Sequence, residues 1–354
     1  MTSLQSNRKK EHVALSERYY TKDFKSPFAD LKFIHHSLPQ ARVSDVDLST
    51  NLHGIHLDFP FYINAMTGGS EWTGDINEKL AIVARETGLA MATGSISIAM
   101  RDASVVDSFK IVRKVNPNGI VITNLGAGHG LENAKKAIEL LKADAFQIHL
   151  NTPQEIVMPE GDRDFTNWED NIQSIAQGID VPLIVKEVGF GMSHETIETL
   201  AHLGVNNIDI SGFGGTNFSQ IENFRRKDFK YDDIEDWGQT TPVSLLEASD
   251  FVDQLAIIAS GGVRSPLDVV KSLALGAKST AFSSFVLHLV IKEGVDETIK
   301  TIEGFKEEVK GIFTMLGAQK IADLRQTDLI ISGDTKDFAE ARGIDYKAYA
   351  KRSH

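Results

Sequence analysis

In the segment Gln147-Ile148-His149-Leu150-Asn151, an amide, an imidazole and a second amide fall at alternate positions. In an extended strand these three side chains share one face, while Ile148 and Leu150 take the other. Polar groups turned inward are costly unless a polar partner meets them, so the pattern predicts a strand whose end faces a ligand. Thr152-Pro153-Gln154-Glu155 follow at once and add an amide and a carboxylate. Singly, His149 reads as a satisfied core histidine and Glu155 as an acid opening a helix. Together they read as a site. Lys186-Glu187 close the apolar run PLIVKEVG, which places an ammonium at a strand end where it needs a permanent anion or a ligand. The structural alternative is a snorkelling lysine or one paired with a neighbouring carboxylate.

Ser260-Gly261-Gly262-Val263-Arg264 and Ala281-Phe282-Ser283-Ser284 each follow a β-like run. Their backbone amides, with a short helix N-terminus, suit a phosphate; otherwise they are tight turns. Ala65-Met66-Thr67-Gly68-Gly69 and Asn124 within ITNLG offer close backbone approach and an amide to a flat ring. Arg8-Lys9-Lys10-Glu11-His12 is a basic run, either a solvated terminus or, placed over a cavity mouth, a clamp for an anion.

These residues need a scaffold that brings strand ends together. The runs FPFYINAM, LAMATGS, GIVITNLG, AFQIHLN, PLIVKEVG, NNIDISG, LAIIASGG and STAFSS alternate with amphipathic stretches at Asn77–Thr87, Leu131–Leu141, His194–Leu203 and Pro266–Leu275. The alternation predicts an α/β fold, a (β/α)8 TIM barrel with its chemistry at the C-terminal ends of the strands. A doubly wound open sheet is the rival, but no GxGxxG follows the first strand. Residues 1–58 read as an N-terminal arm and cap, and 59–354 as the barrel with a C-terminal helical extension. Residues 213–241 form a long polar and aromatic insertion suited to a lid.

The 354 residues are 42% hydrophobic, enough for a large core, and their net charge of −12 disfavours nucleic acid and anionic membranes. The absence of cysteine excludes disulfides, thiolate metal sites and cysteine nucleophiles. No apolar h-region follows the basic N-terminus, and Ala281–Ile291 is too short and too interrupted to span a bilayer, so a cytoplasmic location is expected.

With these motifs in order, RKKEH, AMTGG, TGS, ITNLG, IHLNTPQE, VKEVGFG, DISGFGGTNF, SGGVR and AFSS, the chain resembles the type 2 isopentenyl diphosphate isomerases over nearly its whole length. The resemblance implies a barrel holding reduced FMN, with Mg2+ beside the diphosphate, NADPH as the reductant that prepares the flavin, and a homo-oligomer, tetramer or octamer. It implies that Ala65, Met66, Thr67, Ser95, Asn124 and Lys186 surround FMN, together with Ser211, Thr216, Gly262, Arg264, Ala281 and Phe282. It places Arg8, Lys9, His12, His149, Asn151 and Gln154 against the substrate, and Glu155 on the metal. Of these, Gln154, Lys186 and His149 are the candidate catalytic residues, with Lys186 stabilising the anionic reduced ring. Members often carry an Arg soon after the Gly-Ser of strand two. Here the run is GSISIAMR, which leaves Arg101 to fill that place from farther along.

The implied reaction is a 1,3-allylic shift by acid/base chemistry without net redox. An FMN 2-hydroxy acid oxidase shares the barrel, but those enzymes resemble one another in a base histidine before Gly-Gly, where this chain has Phe213. A purine-nucleotide dehydrogenase would need a loop cysteine. Outside catalysis, the alternative is a flavin-binding barrel that has lost activity, against which the polar strand-four residues argue.

Overall fold

Short runs of β-branched and aromatic residues bounded by glycine and polar turns favour strands too brief to stand alone. In the computed structural model, which describes residues 4–21 and 25–353, eight of them close into one parallel barrel. They are Phe61–Ile63, Met91–Ala92, Val121–Gly126, Ala145–His149, Leu183–Lys186, Asn207–Asp209, Ala256–Ala259 and Ser279–Phe282. The ring shuts where Thr280 pairs with Phe61 and Phe282 with Ile63. Each apolar run read from the sequence supplies one strand, and closure leaves no open edge for a doubly wound sheet.

The amphipathic stretches become the helices Glu71–Thr87, Leu131–Leu141, His194–His202 and Pro266–Ala274. The first starts earlier than its apolar periodicity suggests because Ser70 and Thr73 form a reciprocal capping box. It stops at Gly88, whose φ of 66° is the left-handed conformation that a residue without Cβ adopts freely. Ser265 and Asp268 form a second box, with Pro266 in the first turn.

Side chains alternate along a strand, so the barrel interior is layered. Toward the N-terminal ends of the strands, Tyr62, Ala92, Ile122, Ala145, Ile184 and Ile258 pack with Leu52, Ile55 and Leu57. The last three belong to the hairpin Thr50–Leu52/Ile55–Leu57. One inward position further along, the lining is polar: Asn64, Asn124, Gln147, Lys186, Asp209 and Ser260, all buried. On the outer face Phe61, Phe282, Phe285 and Phe305 form a cluster with centroids 5.4–6.3 Å apart. Each such ring contributes on the order of 1.5–3 kcal/mol by leaving water.

The helix Leu4–Tyr19 lies across the mouth of the barrel, against Phe218–Arg225 of the insertion and against Ser284–Lys292. The long C-terminal helices expected after Phe285 are Ser284–Lys292 and Val295–Met315. Beyond them a strand that the sequence reading did not contain, Leu329–Ile331, pairs antiparallel with Leu31–Phe33 and ties the two flanks of the barrel together. Among the described residues, no helix is long and apolar enough to cross a membrane.

Candidate active site

A cavity of about 360 Å³ opens where the strands end, between the barrel and the arm. Asn124, His149 and Lys186 lie on its barrel side, Arg8, Lys9 and His12 on its arm side, and Asn151, Gln154 and Glu155 on its wall. Ala65, Met66, Ser95 and Thr216 line it as well, and the exposed Arg101 reaches its rim. A narrow cavity of about 60 Å³ shares Ala65, Met66, Lys186 and Thr216 and continues to Ser211, Gly262, Arg264 and Ala281. Two of the expected ring contacts line neither space. Thr67 is buried, with its Oγ1 lacking a partner. At the last strand Ala281 takes the inward position, so the Phe282 side chain points out into the aromatic cluster.

Lys186 is buried and donates from Nζ to the Glu187 carbonyl at 2.6 Å. Burial pushes its ammonium down, and the charge of Asp209, then that of Glu187, opposes the shift. Burial pushes the Asp209 carboxyl up, and Lys186 opposes that in turn. The lysine therefore has a resident anion and also borders both cavities, which unites the two sequence readings. Glu187 does not face a ligand: its Oε2 accepts from the backbone N–H groups of Val188, Gly189 and Phe190 at 2.6–2.8 Å, fixing the loop that follows the strand.

Asn151 stands at the N-terminus of the short helix Thr152–Val157 without capping it through its side chain, which is spent on the cavity wall. Its Nδ2 donates to Gln154 Oε1 at 3.2 Å and to Glu155 Oε1 at 2.8 Å. These bonds turn the Gln154 Nε2 toward Glu222, whose Oε1 accepts it at 3.3 Å. Glu222 is the main functional residue missed by the sequence reading. It lies in the insertion, fully buried, with Oε1 2.7 Å from His12 Nε2 and Oε2 accepting from Arg225 Nη1. Burial pushes its carboxyl up, but His12 and then Arg225 outweigh that and bring it down to about 2. One carboxylate thus ties the arm, the lid insertion and Gln154 together. Asn217 caps the helix that carries it, and Ile221 and Glu222 are buried there with Phe218 beside them.

The arm residues are crowded with positive charge. Burial and then Arg8 push Lys9 down to about 8. Arg8 pairs with Glu160 at 3.7 Å but its Nε is buried without a partner, in a cavity where Arg8, Lys9, Arg101 and Lys186 stand beside the carboxylates Glu155, Glu160 and Asp162. The unpartnered donor among those cations suits an anion. Near the narrow cavity, a Cβ on Gly261 would stand 2.0 Å from the Gly212 carbonyl oxygen, and Gly262 has φ 76°. Backbone alone fits there. With Ser283, the N-terminus of helix Ser284–Lys292 and the unpartnered Thr216 Oγ1, the glycines form a cradle matching a phosphate. The guanidinium of Arg264 stacks 4.6 Å from the Tyr20 ring and donates to the Thr21 carbonyl, which joins the cradle to the end of the arm. The donor set, the flat approach over Ala65 and Met66 and the cradle fit a flavin mononucleotide. Among the described residues, no group of three or more His, Asp or Glu is placed to hold a metal ion by itself.

Residues 146–331, over half of the chain, match the FMN-dependent dehydrogenase family. An isopentenyl-diphosphate delta-isomerase of Staphylococcus epidermidis is 50% identical over 345 residues, 97% of this chain and 98% of that one. The isopentenyl-diphosphate delta-isomerase of Latilactobacillus sakei subsp. sakei is 48% identical over 342 residues, again 97% of this chain and 98% of its own. Among solved structures, the flavin-binding domain of baker's yeast flavocytochrome b2 is similar with a TM-score of 0.63 at 18% identity, covering 92% of this chain and 90% of that one. A mandelate oxidase variant aligns with a TM-score of 0.59 at 14% identity, over 93% and 94% of the two chains. The last two likenesses are of fold.

Proposed function

The chain belongs to the FMN-dependent, type 2 isopentenyl-diphosphate delta-isomerases, and from that premise we propose that it interconverts isopentenyl and dimethylallyl diphosphate in isoprenoid biosynthesis. The observation that carries the reading is the pairing of a flavin-shaped cradle with a second, cation-lined space above it, closed by the arm. An oxidase of small hydroxy acids has one carboxylate to neutralise, less charge than a diphosphate brings to the three basic arm residues, and Phe213 stands where it would need a base.

Reduced FMN, when bound, supplies an electron-rich ring whose nitrogens exchange protons with the allyl unit. The protein's residues do the rest. Ser211, Gly262 and Arg264 hold the phosphate end, while Ala65, Met66, Ser95, Asn124 and Ala281 border the ring. Lys186 sits where its charge favours an anionic ring. Arg8, Lys9, His12 and Asn151 grip the diphosphate, with Arg101 at the rim, and closure of the arm excludes water from a cationic transition state. Gln154, oriented by Asn151 and Glu222, presents a polar edge beside the migrating protons. Glu155 would hold Mg2+: its oxygens accept only one hydrogen bond each, from Asn151 and from the Asp162 N–H, and burial pushes its carboxyl up, a cost that a cation relieves. The remaining ligands would be diphosphate oxygens and water, the usual arrangement for this ion. The same reading includes NADPH as the external reductant, a cytoplasmic location and a homo-oligomer.

The test is conversion in D2O. Protein loaded with FMN and Mg2+ and reduced without oxygen should form the dimethylallyl isomer and place deuterium in it. Conversion at the same rate after the flavin is stripped would overturn the reading.

A further inference from the structure

Three polar side chains that this chemistry leaves unused, Asn64, Gln147 and Asp209, join His149 to the barrel interior by way of Asn124. Asn64 Nδ2 donates to Asp209 Oδ2 at 2.8 Å, and Gln147 Nε2 donates to Asn64 Oδ1 at 3.2 Å. Asn124 Nδ2 donates to Gln147 Oε1 at 3.0 Å, and His149 Nδ1 lies 2.9 Å from Asn124 Oδ1. Asn64, Asn124, Gln147 and Asp209 are each at most 2% exposed, so bulk solvent does not compete for these bonds.

One backbone group fixes the direction of the whole chain. The Ala65 N–H, which can only donate, meets Asn64 Oδ1 at 2.9 Å. Turning that amide over would set donor against donor at Ala65 and oxygen against the Asp209 carboxylate. With Asn64 fixed, Gln147 must offer its NH2 to it, and Asn124 must offer its own NH2 to Gln147. Asn124 Oδ1 is then left as an acceptor, and His149 Nδ1 must carry the proton. The ring is otherwise neutral, because burial, then Lys186, Lys9, His129 and Arg8, push it down to about 3. Its Nε2 faces the position of Gly126, where a Cβ would come within 3.2 Å, so the glycine leaves that nitrogen open.

We propose that Asn64, locked by the Ala65 N–H on its oxygen and by Asp209 on its nitrogen, is a positioning residue for His149: acting through Gln147 and Asn124 it holds the ring proton on Nδ1, so that Nε2 meets an anionic oxygen only as imidazolium, and the anion enters the site together with a proton. The inference rests on reading the cavity as a diphosphate site. The charged groups facing the ring are Lys186 on the adjacent strand, His129 in the loop after Val121–Gly126, and Arg8 and Lys9 on the arm. A diphosphate among them reverses the field that keeps the imidazole neutral. The balance is simple: the Nε2 lone pair accepts one solvent proton, no bond to the ring breaks, and the amide chain keeps its direction.

Magic-angle-spinning 15N spectra of histidine-labelled, FMN-loaded protein test this, with the His149 signals identified by their loss in His149→Asn. Without ligand, His149 should be a single neutral tautomer protonated at Nδ1. Saturating inorganic diphosphate near neutral pH should protonate both nitrogens. Gln147→Leu cuts the chain at its middle and should give a mixture of neutral tautomers; should that variant not fold, the two spectra of the parent still decide. A neutral ring protonated at Nε2 in the parent, or one that stays neutral with diphosphate bound, overturns the proposal. If diphosphate does not bind at all, it is the diphosphate reading of the cavity that falls, and the ligand-free spectrum alone judges the amide chain.

Discussion

Replacing Glu222 by glutamine keeps the shape of the side chain and removes the charge that three groups share. The carboxylate accepts from His12 and Gln154 on one oxygen and from Arg225 on the other. Glutamine has one acceptor and can serve one side. If its oxygen stays with Arg225, its NH2 confronts the Gln154 amide, which must turn and give up the 3.2 Å bond from Asn151. If its oxygen serves His12 and Gln154, its NH2 confronts a guanidinium. In either case one charge-assisted hydrogen bond is lost, worth about 1.5–3 kcal/mol. The partly exposed pairs of Arg225 with Glu11 and Glu160 offset at most about 1 kcal/mol. A net loss of about 2 kcal/mol in arm closure corresponds to roughly 30-fold in kcat/KM at about 1.4 kcal/mol per decade. The assay is steady-state conversion of isopentenyl diphosphate with prereduced FMN, and the loss should appear in KM through the arm and in kcat through the turned Gln154. Flavin content should not change, because Glu222 lies outside the narrow cavity. A kcat/KM within about threefold of the parent would show that the arm closes without this carboxylate, and the reasoning would be wrong.

The same residue sets a pH dependence. Glu222 is held at about 2, below an unfolded glutamate near about 4.3, so its contribution is complete above pH of about 4.3 and disappears as pH falls toward 2. Over that window Glu222→Gln should lose about 2–3 kcal/mol less stability than the parent in acid denaturation; parallel curves would count against it. Gly261→Ala forces a Cβ against the Gly212 carbonyl at a φ of +88°, so the purified variant should carry little FMN and melt earlier; full flavin occupancy would refute the cradle. Glu155→Gln should keep its flavin but need at least about tenfold more Mg2+ for half-maximal rate, and an unchanged Mg2+ titration would remove Glu155 from the metal.

What could be read without the fold depended on periodicity. Eight apolar runs between helical stretches admit few closed arrangements, and the alternation in Gln147-Ile148-His149 told which side faces inward. The same alternation in Asn207-Ile208-Asp209 carries an equal signal, an acid on the inward face. Glu222 was harder. A glutamate in a segment as charged as ENFRRKDFKYDD has the composition of a solvated surface, and only packing against the arm buries it. The pairing of Leu31–Phe33 with Leu329–Ile331 was beyond reach, since three-residue strands so far apart in the chain leave no local mark.

That pairing also orders events on the ribosome. The last barrel strand, Ser279–Phe282, emerges before Leu329–Ile331, so all eight strands of the ring are synthesised while the segment leading from the arm still lacks its partner strand. The last tie between the two ends of the chain therefore forms only when the C-terminal strand is made, after every barrel strand is in place.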